Sequence, residues 1–205
     1  MIHTNNMNKT KNPTRKSIRL KGYDYSLPGW YFITICIQNR ECLFGDIKNG
    51  KIELNNVGLL VNKYWHKLID KFNVQLNKYT IMPNHLHGII RIVGAPPVGA
   101  RSTMVTRSNR AGIKPASRAG IKPAPTTTTT TLGNIIGAFK SLTTHEYIQN
   151  VDNNHWPSFN KRLWQRGYYE RIIRNEIEFK KIREYIQLNP QMWQRDRNNI
   201  KNQEV

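Results

Sequence analysis

His85-Leu86-His87 is the tripeptide from which chemistry is most readily built. In a strand, residues two apart point to the same face, so His85 and His87 present two imidazoles side by side while Leu86 faces the other way. Two adjacent neutral imidazoles are half of a metal site. A polar strand edge would give the same tripeptide without a metal, and the pair alone does not separate the two. A second constellation is Tyr185-Ile186-Gln187-Leu188-Asn189-Pro190. On a helix, positions four apart lie one above the other, so Tyr185 and Asn189 share a face beside Phe179, Ile182 and Ile186. Ordinary packing of Tyr185 and simple helix termination ahead of Pro190 would also produce it. Taken together, the two sets hold the parts for phosphodiester cleavage by a tyrosine. Two imidazoles and an amide oxygen would hold a divalent cation that polarises a phosphate, and Tyr185 would supply the nucleophile. A phenol with a pKa of about 10 attacks poorly until a nearby cation favours the phenolate.

The rest of the composition suits a polyanionic partner. The 205 residues carry 32 Lys plus Arg against 13 Asp plus Glu, a formal charge of +19, which self-repels unless a polyanion shares the surface. Nucleic acid leads as partner, with anionic membrane a weaker alternative. No Asp or Glu occurs between Asp70 and Glu146, so the middle of the chain is purely cationic. The longest apolar runs, such as Tyr31 to Ile37, fall far short of the roughly 20 residues that span a bilayer. No apolar stretch follows the early basic residues as a signal peptide would require, and the expectation is a cytoplasmic protein. Two cysteines, Cys36 and Cys42, exclude a disulfide framework at this size.

The elements that must position these residues follow from periodicity. Trp30 to Gln38 is dense in β-branched and aromatic residues and reads as a buried strand. Asn49-Gly50 between short alternating runs signals a hairpin. Leu59, Leu60, Tyr64, Leu68 and Phe72 predict a helix from Asn56 to about Lys71. Val74–Met82 and His85–Val93 read as strands, antiparallel neighbours if the chain reverses tightly at Pro83-Asn84, although Pro83 could equally mark a strand start. Leu132 to Ile148 predicts a helix over about 132–149, Tyr168–Arg174 a last strand, and Phe179, Ile182 and Ile186 a final helix that Pro190 ends. The result is an α+β fold, an antiparallel sheet carrying helices chiefly on one face. Residues 1–22 read as a flexible basic arm, 23–193 as one domain and 194–205 as a polar tail. The domain is interrupted at 94–131 by a low-complexity insertion that repeats Arg-Ala-Gly-Ile-Lys-Pro-Ala at 110–116 and 118–124. A cationic strap across nucleic acid is the functional alternative for that insertion.

Four blocks in this order resemble a known family. They are Tyr79-Thr80-Ile81-Met82-Pro83-Asn84-His85-Leu86-His87-Gly88, Ile136-Gly137-Ala138-Phe139-Lys140-Ser141, Leu163-Trp164-Gln165-Arg166-Gly167-Tyr168-Tyr169-Glu170, and Tyr185-Ile186-Gln187-Leu188-Asn189-Pro190. Over roughly 22–193 the chain is similar to the single-tyrosine transposases of the His-hydrophobic-His endonuclease superfamily, and more closely to the REP-associated tyrosine transposases. The resemblance implies that His85 and His87 bind Mg2+ or Mn2+, with Asn189 completing the site. It implies that Tyr185 attacks single-stranded DNA to leave a 5′-phosphotyrosine and a free 3′-hydroxyl. It further implies a ferredoxin-like, RRM-like sheet with the histidines on a central strand, and a single-stranded or hairpin palindromic DNA as partner, bound by a monomer or a homodimer. The 94–131 insertion is longer and more repetitive than the family core requires.

Among the other tyrosines, Tyr168 and Tyr169 alternate across a strand, so one of them should face the metal side, but neither has an Asn at helical spacing. Lys140, Arg166 and Arg174 are candidate phosphate contacts, with solvated surface charge the plain alternative. Two other readings compete with the tyrosine chemistry. One is a non-catalytic nucleic-acid-binding protein that keeps the basic surface, and the other is a metal-dependent nuclease that uses water.

Overall fold

The computed structural model describes residues 19–94 and 130–202. The basic arm expected over 1–22 lies outside the described residues up to 18, as does the insertion expected over 94–131 between 95 and 129.

The first strand, β1 (Gly29–Cys36), shows why the sequence reads as buried. Tyr31, Ile33 and Ile35 are fully buried on one face, and Phe32 and Thr34 are nearly so on the other, so β1 runs through the middle of a sheet with both faces covered. The hairpin signal holds: β2 (Gly45–Lys48) and β3 (Lys51–Leu54) pair antiparallel. Asn49 and Gly50 both take positive φ, 50° and 71°, as a two-residue turn matched to the strand twist demands. In α1 (Asn56–Lys71), the Asn55 side chain accepts from the amides of Val57 and Gly58 and fixes the start. Val57, Val61, Trp65 and Leu68 form its buried stripe.

β4 (Val74–Met82) and β5 (His85–Ile92) are joined by Pro83-Asn84, with Met82 opposite His85. The tight reversal is thus the reading that holds. Helix α2 (Leu132–Asn154) starts where expected, capped by the Thr131 hydroxyl, but runs five residues past 149. Its last turns, Asn150 to Asn154, are too polar to carry a periodic signal, and the helix stops at His155 in the left-handed region. β6 (Tyr169–Ile173) and α3 (Glu176–Leu188) complete the order, with Asn175 capping α3.

The main sheet has the order β4-β5-β1-β6 with all pairs antiparallel. Leaving aside the β2–β3 hairpin, the chain runs βαββαβ, the ferredoxin-like arrangement. Helices α1 and α2 bury Val61, Trp65, Leu132, Ile136 and Phe139 against Tyr31, Ile33, Ile35, Leu86 and Ile90 on one face. Among the described α-helices, α3 alone lies on the other, where Ile182 and Ile186 meet Phe32, Ile89 and Ile173. Gly88 has a packing task beside the histidines: a Cβ there would lie 2.4 Å from Trp65 Cζ2, so the bare backbone lets the indole lie against β5.

The segment expected as a polar tail from 194 is folded through Asn202. Trp193, Asp196, Asn198 and Asn199 are buried. Their polarity is satisfied internally: Asn199 Nδ2 donates to the Trp193 carbonyl at 3.0 Å, and the Asn198 amide to Asp196 Oδ1 at 2.6 Å.

Candidate active site

The pleat of β5 puts Leu86 into the main core and turns His85 and His87 toward α3 and the C-terminal segment. Both imidazoles are buried, 0% and 2% exposed, and their Nε2 atoms converge to 3.0 Å. Desolvation dominates their protonation: it holds His85 down at about 3, assisted by the positive charges of Arg197 and Arg40, and His87 well below its ordinary value. Both rings are therefore neutral near pH 7, and the 3.7 Å approach of Asp196 Oδ2 to His85 Nε2 is a meeting of ligand atoms rather than an ion pair.

The tautomer of His85 is set by Asn84. The Asn84 Nδ2 donates to the carbonyls of Arg40 and Asn198, each at 2.8 Å, which leaves its Oδ1 to accept from His85 Nδ1–H at 2.8 Å. The lone pair of His85 Nε2 consequently points into the site. His87 Nδ1 lies 2.8 Å from the Thr34 hydroxyl of β1, and its ring stacks on Phe32. Asp196 brings a carboxylate from the C-terminal segment, and the ligand atoms of His85, His87 and Asp196 all lie within 4.8 Å of one another. Sequence reasoning missed Asp196. It stands alone in a polar run with no partner at strand or helix spacing, and only folding brings it to the histidines.

Tyr185 lies one turn from the end of α3, with its hydroxyl 3.2 Å from His87 Nε2 and its ring edge-on to Phe32. The residue is half exposed. Burial raises its pKa, the negative charge of Asp196 adds to this, and the Asn189 amide and Arg197 oppose it. Left to these groups, the hydroxyl stays a phenol at neutral pH. Asn189 is buried, and its Oδ1 has no hydrogen-bond partner. An orphaned amide oxygen and two converging neutral imidazole nitrogens are a donor set that suits a divalent cation.

The remaining candidates fall elsewhere. Tyr169 faces the α3 side against Phe32, while Tyr168 faces the α2 side beside Arg19 and Lys140. The Tyr147 hydroxyl donates to the Pro157 carbonyl. Lys140 donates to the carbonyls of Gln165 and Gly167, and burial lowers its pKa to about 8. It pins the 165–167 loop. Arg166 lies on that loop, and Arg174 at the β6–α3 junction, where its amide donates to Glu178.

No family model matches the chain. An uncharacterized protein of Haemophilus influenzae Rd is 38% identical over 186 residues, spanning 89% of this chain and 91% of the relative. The chain belongs to that protein's family. Among solved structures, a REP-associated tyrosine transposase bound to a REP hairpin superposes with a TM-score of 0.52 at 15% identity, over 87% of this chain and 74% of that one. That likeness shows the fold to be the one the sequence motifs imply. A Deinococcus radiodurans R1 structure, at a TM-score of 0.43 and 14% identity over 82% of this chain and 95% of that one, is too distant to add to it. No helix among the described residues is long and apolar enough to cross a membrane.

Proposed function

We propose that the chain is a DNA transposase-like endonuclease and strand transferase that cleaves single-stranded or hairpin DNA through Tyr185. The observation that carries this is the Tyr185 hydroxyl 3.2 Å from His87 Nε2, the atom that also faces His85 Nε2 at 3.0 Å. The proposed nucleophile thereby touches the paired imidazoles from a half-exposed residue. His85, His87 and Asn189 would hold Mg2+ or Mn2+, with Asp196 as a further, carboxylate ligand. When bound, the cation would neutralise charge on the phosphate and favour the phenolate.

The chain's own residues supply the rest. Asn84 and Thr34 orient the two imidazoles, and Phe32 and Trp193 wall them off from water. Tyr185 Oη forms a bond to phosphorus as the bond from phosphorus to the 3′ oxygen breaks. The proton lost by the phenol is balanced by the one gained on the 3′ oxygen, and a 5′-phosphotyrosine with a free 3′-hydroxyl results. Arg197, whose positive charge opposes the rise in the Tyr185 pKa and whose guanidinium lies 6.0 Å from the Tyr169 ring, would bring positive charge toward the phosphate.

The test is incubation with labelled hairpin oligonucleotides drawn from DNA flanking the gene, with Mn2+ or Mg2+, followed by denaturing electrophoresis. A slow-migrating protein–DNA band is expected for the native protein and not for Tyr185→Phe, His87→Ala or the chelated sample. Cleavage without the band would instead assign the nucleophile to water.

A further inference from the structure

Away from the histidine centre, the described residues form a cleft of about 570 Å3 between α2 and the 159–167 segment. Its volume is within the range of ligand sites. Its apolar lining comes from Ile148, Phe159 and Trp164, with Ile148 45% exposed. Its rim carries Lys161, Arg162 and Arg166, and among the described residues no Asp or Glu lines it. An apolar lining inside a purely basic rim is complementary to an unpaired nucleobase with phosphates on either side. Double-stranded DNA buries its bases and could use the rim only.

The backbone ties this cleft to the reactive centre. The Gln165 amide donates to the Cys36 carbonyl at 2.9 Å, and Ile37 bridges to Trp164, so the 163–165 segment continues the sheet beside the end of β1. Cys36 in turn pairs with His85. Two strand spacings, about 10 Å, therefore separate the cleft edge from the backbone of His85. Tyr169 begins the edge strand β6, and its exposed ring lies against Phe32 on the same face as Tyr185.

We propose that this cleft is a docking site for single-stranded DNA, holding unpaired nucleotides of the strand whose phosphate is presented to Tyr185. The proposal rests on the tyrosine reading above for the second half of that statement. Bases insert against Ile148 and Phe159, and Lys161 and Arg162 neutralise phosphates. Lys140 is not part of the rim's free charge, since its ammonium is committed to the loop carbonyls.

The experiment is fluorescence anisotropy of a fluorescein-labelled poly(dT) oligonucleotide with the full chain in chelator, across a series of NaCl concentrations, with poly(U) as a second probe. Lys161 sits at a φ of 63°, so Lys161→Asn removes its charge without opposing the backbone. Lys161→Asn with Arg162→Ala should weaken poly(dT) binding by about tenfold at moderate salt and flatten the log–log salt slope by about 1.4, the share of two neutralised phosphates on a single strand. Ile148→Glu, at an exposed helix position that keeps the fold, should weaken it by a similar factor. Native affinity and slope in both variants, while the native chain binds, would overturn this proposal alone and leave the tyrosine reading standing. No binding of poly(dT) by the native chain, or tighter binding of poly(U) through the same residues, would overturn it as well, and the former would also count against the tyrosine reading.

Discussion

At the scale of single residues, the histidine pair combines a constraint on stability with a capacity for chemistry. Both rings are buried and neutral, with folded pKa values far below the ordinary 6.5. The unfolded chain takes up these protons near pH 6.5 and the folded one does not. The contribution to stability is thus complete above about 6.5 and declines as pH falls toward the folded value of about 3 for His85. Between pH 6.5 and the folded values, each histidine lowers stability by up to about 1 kcal/mol per pH unit, so the pair is an acid liability of the fold. Urea unfolding of the chelated protein at about pH 7.5 and about pH 5.5 should show a clear drop in midpoint that His85→Gln with His87→Gln removes. An equal midpoint at both values would mean the rings are not held neutral. Part of this could be read from the sequence, since alternation in a strand placed both rings on one face. Asn84 is the neighbour of His85 in the chain, but the other partners that set their chemistry could not be read this way: Thr34 and Asp196 come from another strand and a distant polar segment, and no spacing rule connects them.

Among the elements, strands and helices were legible where a buried face left a period. β4, β5 and α1 follow their apolar patterns because each packs one stripe against the same core. The last turns of α2 and the folded segment after Trp193 were not, because side-chain amides and backbone bonds hold them and polar residues have no period. Gly88 lies between these cases, a plain glycine in a strand whose reason is the indole of Trp65. Gly88→Ala would push a methyl into that ring, and either α1 lifts or β5 shifts. The expected cost is about 1–3 kcal/mol of stability, read from denaturant midpoints. If β5 is the element that gives, the metal binding proposed for the histidines should weaken with it, whereas movement of Trp65 alone would leave it intact. Unchanged stability would show that the packing of Trp65 on Gly88 does not govern how α1 sits on the sheet.

For the molecule as a whole, charge and chemistry are distributed differently along the chain. The proposed ligand and nucleophile groups His85, His87, Tyr185 and Asn189 lie among the described residues, and ten of the 32 basic residues fall in residues 1–18 and 95–129, where there is no acid to offset them. Long-range attraction to a polyanion sums over every charge, whereas the covalent step depends on a few atoms at hydrogen-bond distance. Affinity and reactivity should therefore separate. Replacing the six Lys and Arg of 95–129 by Ser removes about a third of the net charge without touching any residue of the histidine centre. If the insertion serves as a cationic strap, this variant should bind hairpin DNA more weakly and with a flatter salt slope. Every phosphate that the variant leaves without its cation takes about 0.7–0.9 off that slope. Adduct formed per bound DNA at saturation should stay at the native level, because the atoms around Tyr185 are the same. An unaltered slope would make the insertion a bystander in binding and assign the electrostatic attraction to the rest of the chain. A slope that flattens while the adduct also disappears at saturation would mean that the insertion positions the DNA for attack as well.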